Sequence, residues 1–136
     1  MKNTIKIISL MLILVMAVAC LVSCSTYGGI KKNFEKAGYV LQNADNEKTE
    51  EIKTDDGVIT YTIHTFKKED AGFLESLATG VIIWEFGSDK DLEKAIGESE
   101  TLKGLIKDAQ DSDYVNGNCV LTTIDPKAVE IFNQSK

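Results

Sequence analysis

The sequence predicts an α+β domain, a mostly antiparallel sheet of about four strands with helices packed mainly on one face. Three observations carry that reading. Val58 to Phe66 alternates with period two, setting Ile59, Tyr61 and Ile63 against Thr60, Thr62 and His64, as a half-buried strand does. Val81-Ile82-Ile83-Trp84 is apolar on both faces, which marks a central strand. Around these two strands lie short segments of helical spacing, bounded by cap residues, glycine or proline.

Taken in chain order, Ile30, Phe34 and Ala37 share one face of a short helix that Gly38 ends. Tyr39-Val40-Leu41 reads as a strand. Gln42 to Lys53 is polar and acidic, a loop followed by the start of another strand. Asp55-Asp56-Gly57 is a hairpin turn signal leading into Val58. The threonine side of that strand is expected to stay wet, with His64 exposed on it. Phe73, Leu74 and Leu77 suggest one helical turn between Gly72 and Gly80. Ser88 and Asp91 form a capping box for a helix that buries Leu92, Ala95 and Ile96 and ends at Gly97. Leu102, Leu105, Ile106 and Ala109 supply the stripe of the next helix. Asn118 to Thr123 makes the last strand. Asp125-Pro126 then opens a final helix with Val129 and Phe132 inside. The resulting order is α-β-β-β-α-α-β-α.

Composition narrows the function classes. The chain has 136 residues, and its 15 basic residues are all lysine against 21 acidic ones, a net charge of -6. That length holds one domain with a modest core. Hydrophobic content of 43% and charged content of 26% exclude global disorder, collagen and low complexity. With no basic surplus to neutralise phosphates, a nucleic-acid partner is not expected.

The first 23 residues read as an address. Lys2 and Lys6 precede an apolar stretch from Ile7 to Val22, broken only by Ser9. A basic start, an apolar middle and a small residue before a cut are the parts of a secretory signal. The competing reading, a retained transmembrane helix, is disfavoured because the run is short of the ~20 residues that span a bilayer. Leu21-Val22-Ser23-Cys24 follows. This tetrad, placed at the end of such a signal, resembles the lipobox of bacterial lipoproteins. The resemblance implies that the Cys24 thiol receives a diacylglyceryl group and that signal peptidase II cuts between Ser23 and Cys24. Cys20 is a rival that lacks a leucine three places before it.

The expected organisation is therefore a signal at 1–23, a lipidated cysteine with a short tether at 24–29, and one globular domain at 30–136. Cleavage removes Lys2 and Lys6 but no acidic residue, so anionic lipid headgroups repel the mature domain. Attachment then rests on the lipid chains, two or three of which suffice. The expected location is the extracytoplasmic face of the cell membrane. The mature part resembles the many small bacterial lipoproteins that join such a signal to a compact α+β domain, a likeness that implies no activity.

Candidate chemistry is sparse. Cys119 lacks an intramolecular partner if Cys24 carries lipid, and its apolar neighbours Val120 and Leu121 point to burial. A Cys119–His64 dyad on facing strands is the enzymatic option. One histidine and one spare thiol are too few for a zinc site. Asp111 to Gly117 begins like an EF-hand loop but has valine fifth and glycine seventh. Asn43 to Lys48 lacks the glycine, and Asp89, Asp91 and Glu93 fit a helix dipole better than calcium. Trp84 and Tyr61 are expected in the core. No metal or cofactor is expected.

Three readings of function compete: a binding module for an envelope protein or small ligand, an accessory subunit of an envelope complex, and a small surface enzyme. The enzyme would use Cys119 and His64, or a carboxylate pair brought together by folding. The expectation is a non-enzymatic module.

Overall fold

The computed structural model of the chain describes residues 25–43, 47–100, 103 and 112–136. The signal, the tetrad ending at Cys24 and the helix expected over 102–109 lie outside the described residues, apart from Lys103. The α+β class is correct, with four helices and a six-stranded antiparallel sheet among the described residues. In chain order these are α1 (Thr26–Lys36), β1 (Tyr39–Leu41), β2 (Lys48–Thr54), β3 (Gly57–Lys68), α2 (Phe73–Thr79), β4 (Val81–Phe86), α3 (Asp89–Glu98), β5 (Val115–Asn116), β6 (Cys119–Thr122) and α4 (Pro126–Asn133).

The expectation of about four strands is corrected to six. The polar segment before Asp55 forms the whole of β2, which zips against β3 from Lys48↔Ile63 to Thr54↔Gly57. The calcium-like segment supplies β5, whose Val115 and Asn116 pair with Val120 and Cys119. Neither strand carries alternating apolar residues, so tertiary pairing rather than local pattern creates them.

β3 organises the sheet. Its Lys68 end pairs with β1, its Gly57 end pairs with β2, and its other edge takes β4. Beyond β4 the order continues to β6 and β5. Because side chains alternate, β3 offers His64 and Phe66 to one face and Ile59 and Tyr61 to the other. Phe66, Val81, Ile83, Cys119 and Leu121 pack under Ile30 and Phe34 of α1 and Ala128, Ile131 and Phe132 of α4. Ile59, Phe86, Val115 and Val120 meet Leu92 and Ala95 of α3 on the opposite face. Helices thus cover both faces, correcting the expectation of one. The wet threonine face is corrected with it: α1 covers that side from His64 onward, and His64 is 2% exposed.

Helix ends follow local chemistry. Gly38 stops α1 with φ 86, a left-handed conformation that glycine adopts without strain. Ser88 Oγ accepts from the Asp91 amide, and Asp125 Oδ1 from the Lys127 amide. α3 runs one residue past Gly97, which sits inside its last turn. α1 starts earlier than expected. Ser25 Oγ accepts the Gly28 amide, so the helix begins at Thr26 and takes up the proposed tether. The domain therefore includes residues 25–29, a correction to the boundary at 30.

The start of α1 is wedged against the β5–β6 turn. Gly117 there has φ +57, and a Cβ on it would lie 2.9 Å from Thr26 Oγ1. Gly117→Ala is expected to cost about 1–2 kcal/mol from the left-handed backbone alone, and more from the collision. Urea unfolding should show the loss, and an unchanged midpoint would contradict this packing.

Candidate functional site

His64 is the centre of the densest polar cluster among the described residues. β3 points it under α1, where the Tyr27 ring stacks on the imidazole at 3.7 Å between centroids and 15° between planes. Its Nδ1 lies 3.0 Å from Glu47 Oε1, and its Nε2 lies 3.0 Å from Glu85 Oε1. Glu47 sits just ahead of β2. Glu85 is on β4, in register with Thr62 of β3 and Cys119 of β6. Four parts of the chain meet on one ring.

Proton counting shows what this arrangement can do. Two hydrogen bonds between one imidazole and two carboxylates need two protons, both on the ring or one on the ring and one on a carboxyl. In either state both ring nitrogens are committed and one ring face is covered. No nitrogen remains to take a proton from Cys119, so the alternative Cys119–His64 dyad is not assembled. The exposed His64 expected from its strand position is corrected to a buried, doubly bonded one.

Cys119 is fully buried, and burial pushes its thiol well above the ordinary range, with Glu85 and then Asp89 adding to the effect. Its Sγ makes a weak 3.8 Å contact with Asn118 Oδ1. The Tyr27 hydroxyl is buried without a partner among the described residues. Burial raises that phenol first, and the nearby carboxylates of Glu47 and Glu85 raise it further. Both groups stay protonated in the fold and resist acting as nucleophiles at neutral pH.

The remaining candidates find structural roles. Tyr61 and Trp84 are only partly buried, packed against the α3 side of the core with ring centroids 5.4 Å apart. Asp89 and Asp91 occupy the first turn of α3. Asn43 uses its amide on the β3 backbone, donating to Ile63 O at 2.7 Å and accepting from Thr65 N at 3.0 Å. Of the same segment, Glu47 bonds His64 and Lys48 opens β2, while 44–46 lie outside the described residues, as does Asp111. Among the described residues no group of three or more His, Cys, Asp or Glu is placed to hold a metal ion. No helix among them is long and apolar enough to cross a membrane.

A hollow of about 240 Å³ opens elsewhere, lined by Tyr114, Thr123, Ile124, Asp125, Pro126 and Val129. It is smaller than the roughly 300–1,000 Å³ of ordinary small-molecule sites. No part of the His64 cluster lines it. The surface carries a different signal at α2. Phe73 and Leu74 are each 78% exposed and Leu77 is 62% exposed, and no residue of this helix is buried.

Sequence reasoning missed Tyr27, Glu47 and Glu85. A signal for Tyr27 existed, since it continues the Ile30–Phe34 face backward by three residues. Glu47 and Glu85 carry no such signal, because only folding brings them to His64. No protein-family model, curated protein or solved structure matches this chain.

His64→Phe keeps a ring for Tyr27 but removes both nitrogens, leaving two carboxylates facing an apolar edge. The expected cost is about 2–4 kcal/mol in urea unfolding; a change below about 0.5 kcal/mol would remove the cluster from the stability argument. Alkaline pH offers a second check. The unfolded chain ionises Cys119 near its ordinary 9.0 and Tyr27 near 10.0, whereas the fold holds both higher. Stability is therefore complete below about pH 9 and falls as pH rises further. Tyr27→Phe should flatten the fall above pH 10, and an identical slope in that variant would refute the assignment.

Proposed function

We propose that this chain is a lipid-anchored extracytoplasmic protein of the cell membrane that acts as a non-enzymatic binding or accessory module for an envelope protein. The observation that carries the binding reading is α2, which holds three large apolar side chains in water while burying none. Scattered apolar residues are ordinary on surfaces, but several on one short helix mark an interaction face. The lipobox likeness of Leu21-Val22-Ser23-Cys24 supports the anchor.

The start of α1 sharpens the picture. Only Ser25 stands between Cys24 and the helix, and Ser25 is itself the cap. Tyr27, two residues further on, is stacked on His64. A lipid on Cys24 therefore holds the domain directly against the bilayer, with a defined orientation and almost no stalk. The alternative, a small surface enzyme, has less support. The ring nitrogens of His64 are both engaged, and the carboxylates brought together, Glu47 and Glu85, bond that ring rather than a cleft.

Radiolabelled palmitate fed to the producing cell should enter the wild-type protein and Cys20→Ala but not Cys24→Ala. Label in the Cys24→Ala protein would defeat the anchor assignment.

A further inference from the structure

The sheet has one long open edge. β3 partners β2 at every position from Lys48 to Thr54, and no other strand among the described residues pairs with β2. Its far side therefore presents backbone N–H and C=O groups with no strand opposite. β1, which shares that side of β3, has three residues, and β5 at the other end of the sheet has two. Of these edges only β2 is long enough to hold a partner strand. Thr49, Glu50, Glu51 and Lys53 are exposed along it, while Ile52 is partly buried against the α3-side core.

Charges on an edge strand ordinarily repel a second strand. Those of β2 do so in every symmetric register but one. An antiparallel pair about a two-fold axis through the sheet sets one residue opposite itself, and residues equally far to either side of it face each other. Centred on Glu50 or Glu51, a carboxylate meets its own copy. Centred on Lys53, the two ammonium groups meet and Glu51 faces Asp55. Centred on Thr49, Lys48 faces Glu50, but Glu47 faces Glu51. Registers centred on Lys48 or Thr54 leave almost no strand to pair. Centred on Ile52, Glu51 faces Lys53 on both sides of the axis and Glu50 faces Thr54, with no like charges opposed. Opposite charges directly across an antiparallel pair are stabilising, and like charges are not.

We infer that β2 pairs with β2 of a second copy, antiparallel and centred on Ile52, joining two six-stranded sheets into one. The remaining charges agree with this register. Lys48 lies toward the Asp55-Asp56 turn of the other copy, Glu50 is bonded to the Tyr61 hydroxyl, and Glu47 is held by His64. Lys94 of α3 already meets Asp56 at 3.3 Å. The two Ile52 side chains meet at the axis on the α3 face, each covering the part of the other that its own core leaves open. A strand of another protein would find the same backbone groups, but the charge mirror about Ile52 belongs to β2 itself and singles out a second copy. This pairing goes beyond the binding-module reading and does not depend on the anchor.

The test uses the full chain in its producing cell, with Glu50→benzoylphenylalanine as photo-crosslinker and Glu130→benzoylphenylalanine, exposed on α4, as control. An adduct of twice the chain's mass at position 50, absent at 130, is expected. Like charges opposed across an interface are costly, so Lys53→Glu or Glu51→Lys alone should weaken the adduct about tenfold or more. The exchange Glu51→Lys with Lys53→Glu should restore it. Thermal melts establish that the exposed variants are folded, and either single reversal suffices. Register is read on wild-type protein, mixing heavy-isotope and ordinary copies and adding a carbodiimide, which should join Glu51 of one copy to Lys53 of the other. No adduct, an adduct with a different protein only, an adduct indifferent to the single reversals, or an exchange that restores nothing overturns the inference. Palmitate labelling reports the anchor separately, so an unlipidated protein that gives the charge-sensitive adduct leaves this pairing standing.

Discussion

β3 has a strand partner at every position from Gly57 to Lys68, on one edge or the other, and the rest of the domain takes its place from that constraint. Twelve residues is more than any one neighbour needs, so its outer edge is shared between β1 and β2 while β4 takes the inner edge. A strand so fixed cannot slip by one residue without turning every side chain to the wrong face. His64 and Phe66 are thereby committed to α1 and α4, and Ile59 and Tyr61 to the α3 side. Two cores follow, one on each face, and neither helix layer can shift without exposing its own.

The His64 cluster joins the two kinds of force in the fold. Burying a polar ring is costly unless its hydrogen bonds are met. Here each nitrogen meets a carboxylate at 3.0 Å, and the Tyr27 stack adds an aromatic contact of about 0.5–1.5 kcal/mol. Glu85 comes from β4 and Glu47 from the residue just ahead of β2, so the cluster also records the register: a shifted β4 would carry Glu85 away from the ring. Tyr27 extends the tie to the first turn of α1. The segment from Ser25 onward is thus part of the packed domain.

α2 stands apart from this economy. Every other helix among the described residues buries at least two side chains, whereas α2 buries none. Its apolar face contributes nothing to holding the domain together, and water makes that face unfavourable.

By itself the sequence determined what depends on neighbours along the chain. Period-two alternation located β3, an apolar run located β4, and Ser88, Asp125 and Gly38 marked helix ends, because caps and strand faces act within a few residues. Only tertiary structure decided which strand face was covered, that polar Lys48–Thr54 and the short Val115–Asn116 were strands, and that His64 lay inside. Phe66 has the same parity as His64 and already hinted at a buried face, but Thr60 and Thr62 on that face outvoted it. Glu47, Glu85 and Tyr27 reach His64 from 17, 21 and 37 positions away. Contacts at such separations leave no periodic trace in a single chain, because they arise when strands pair in space and not when residues follow one another in sequence.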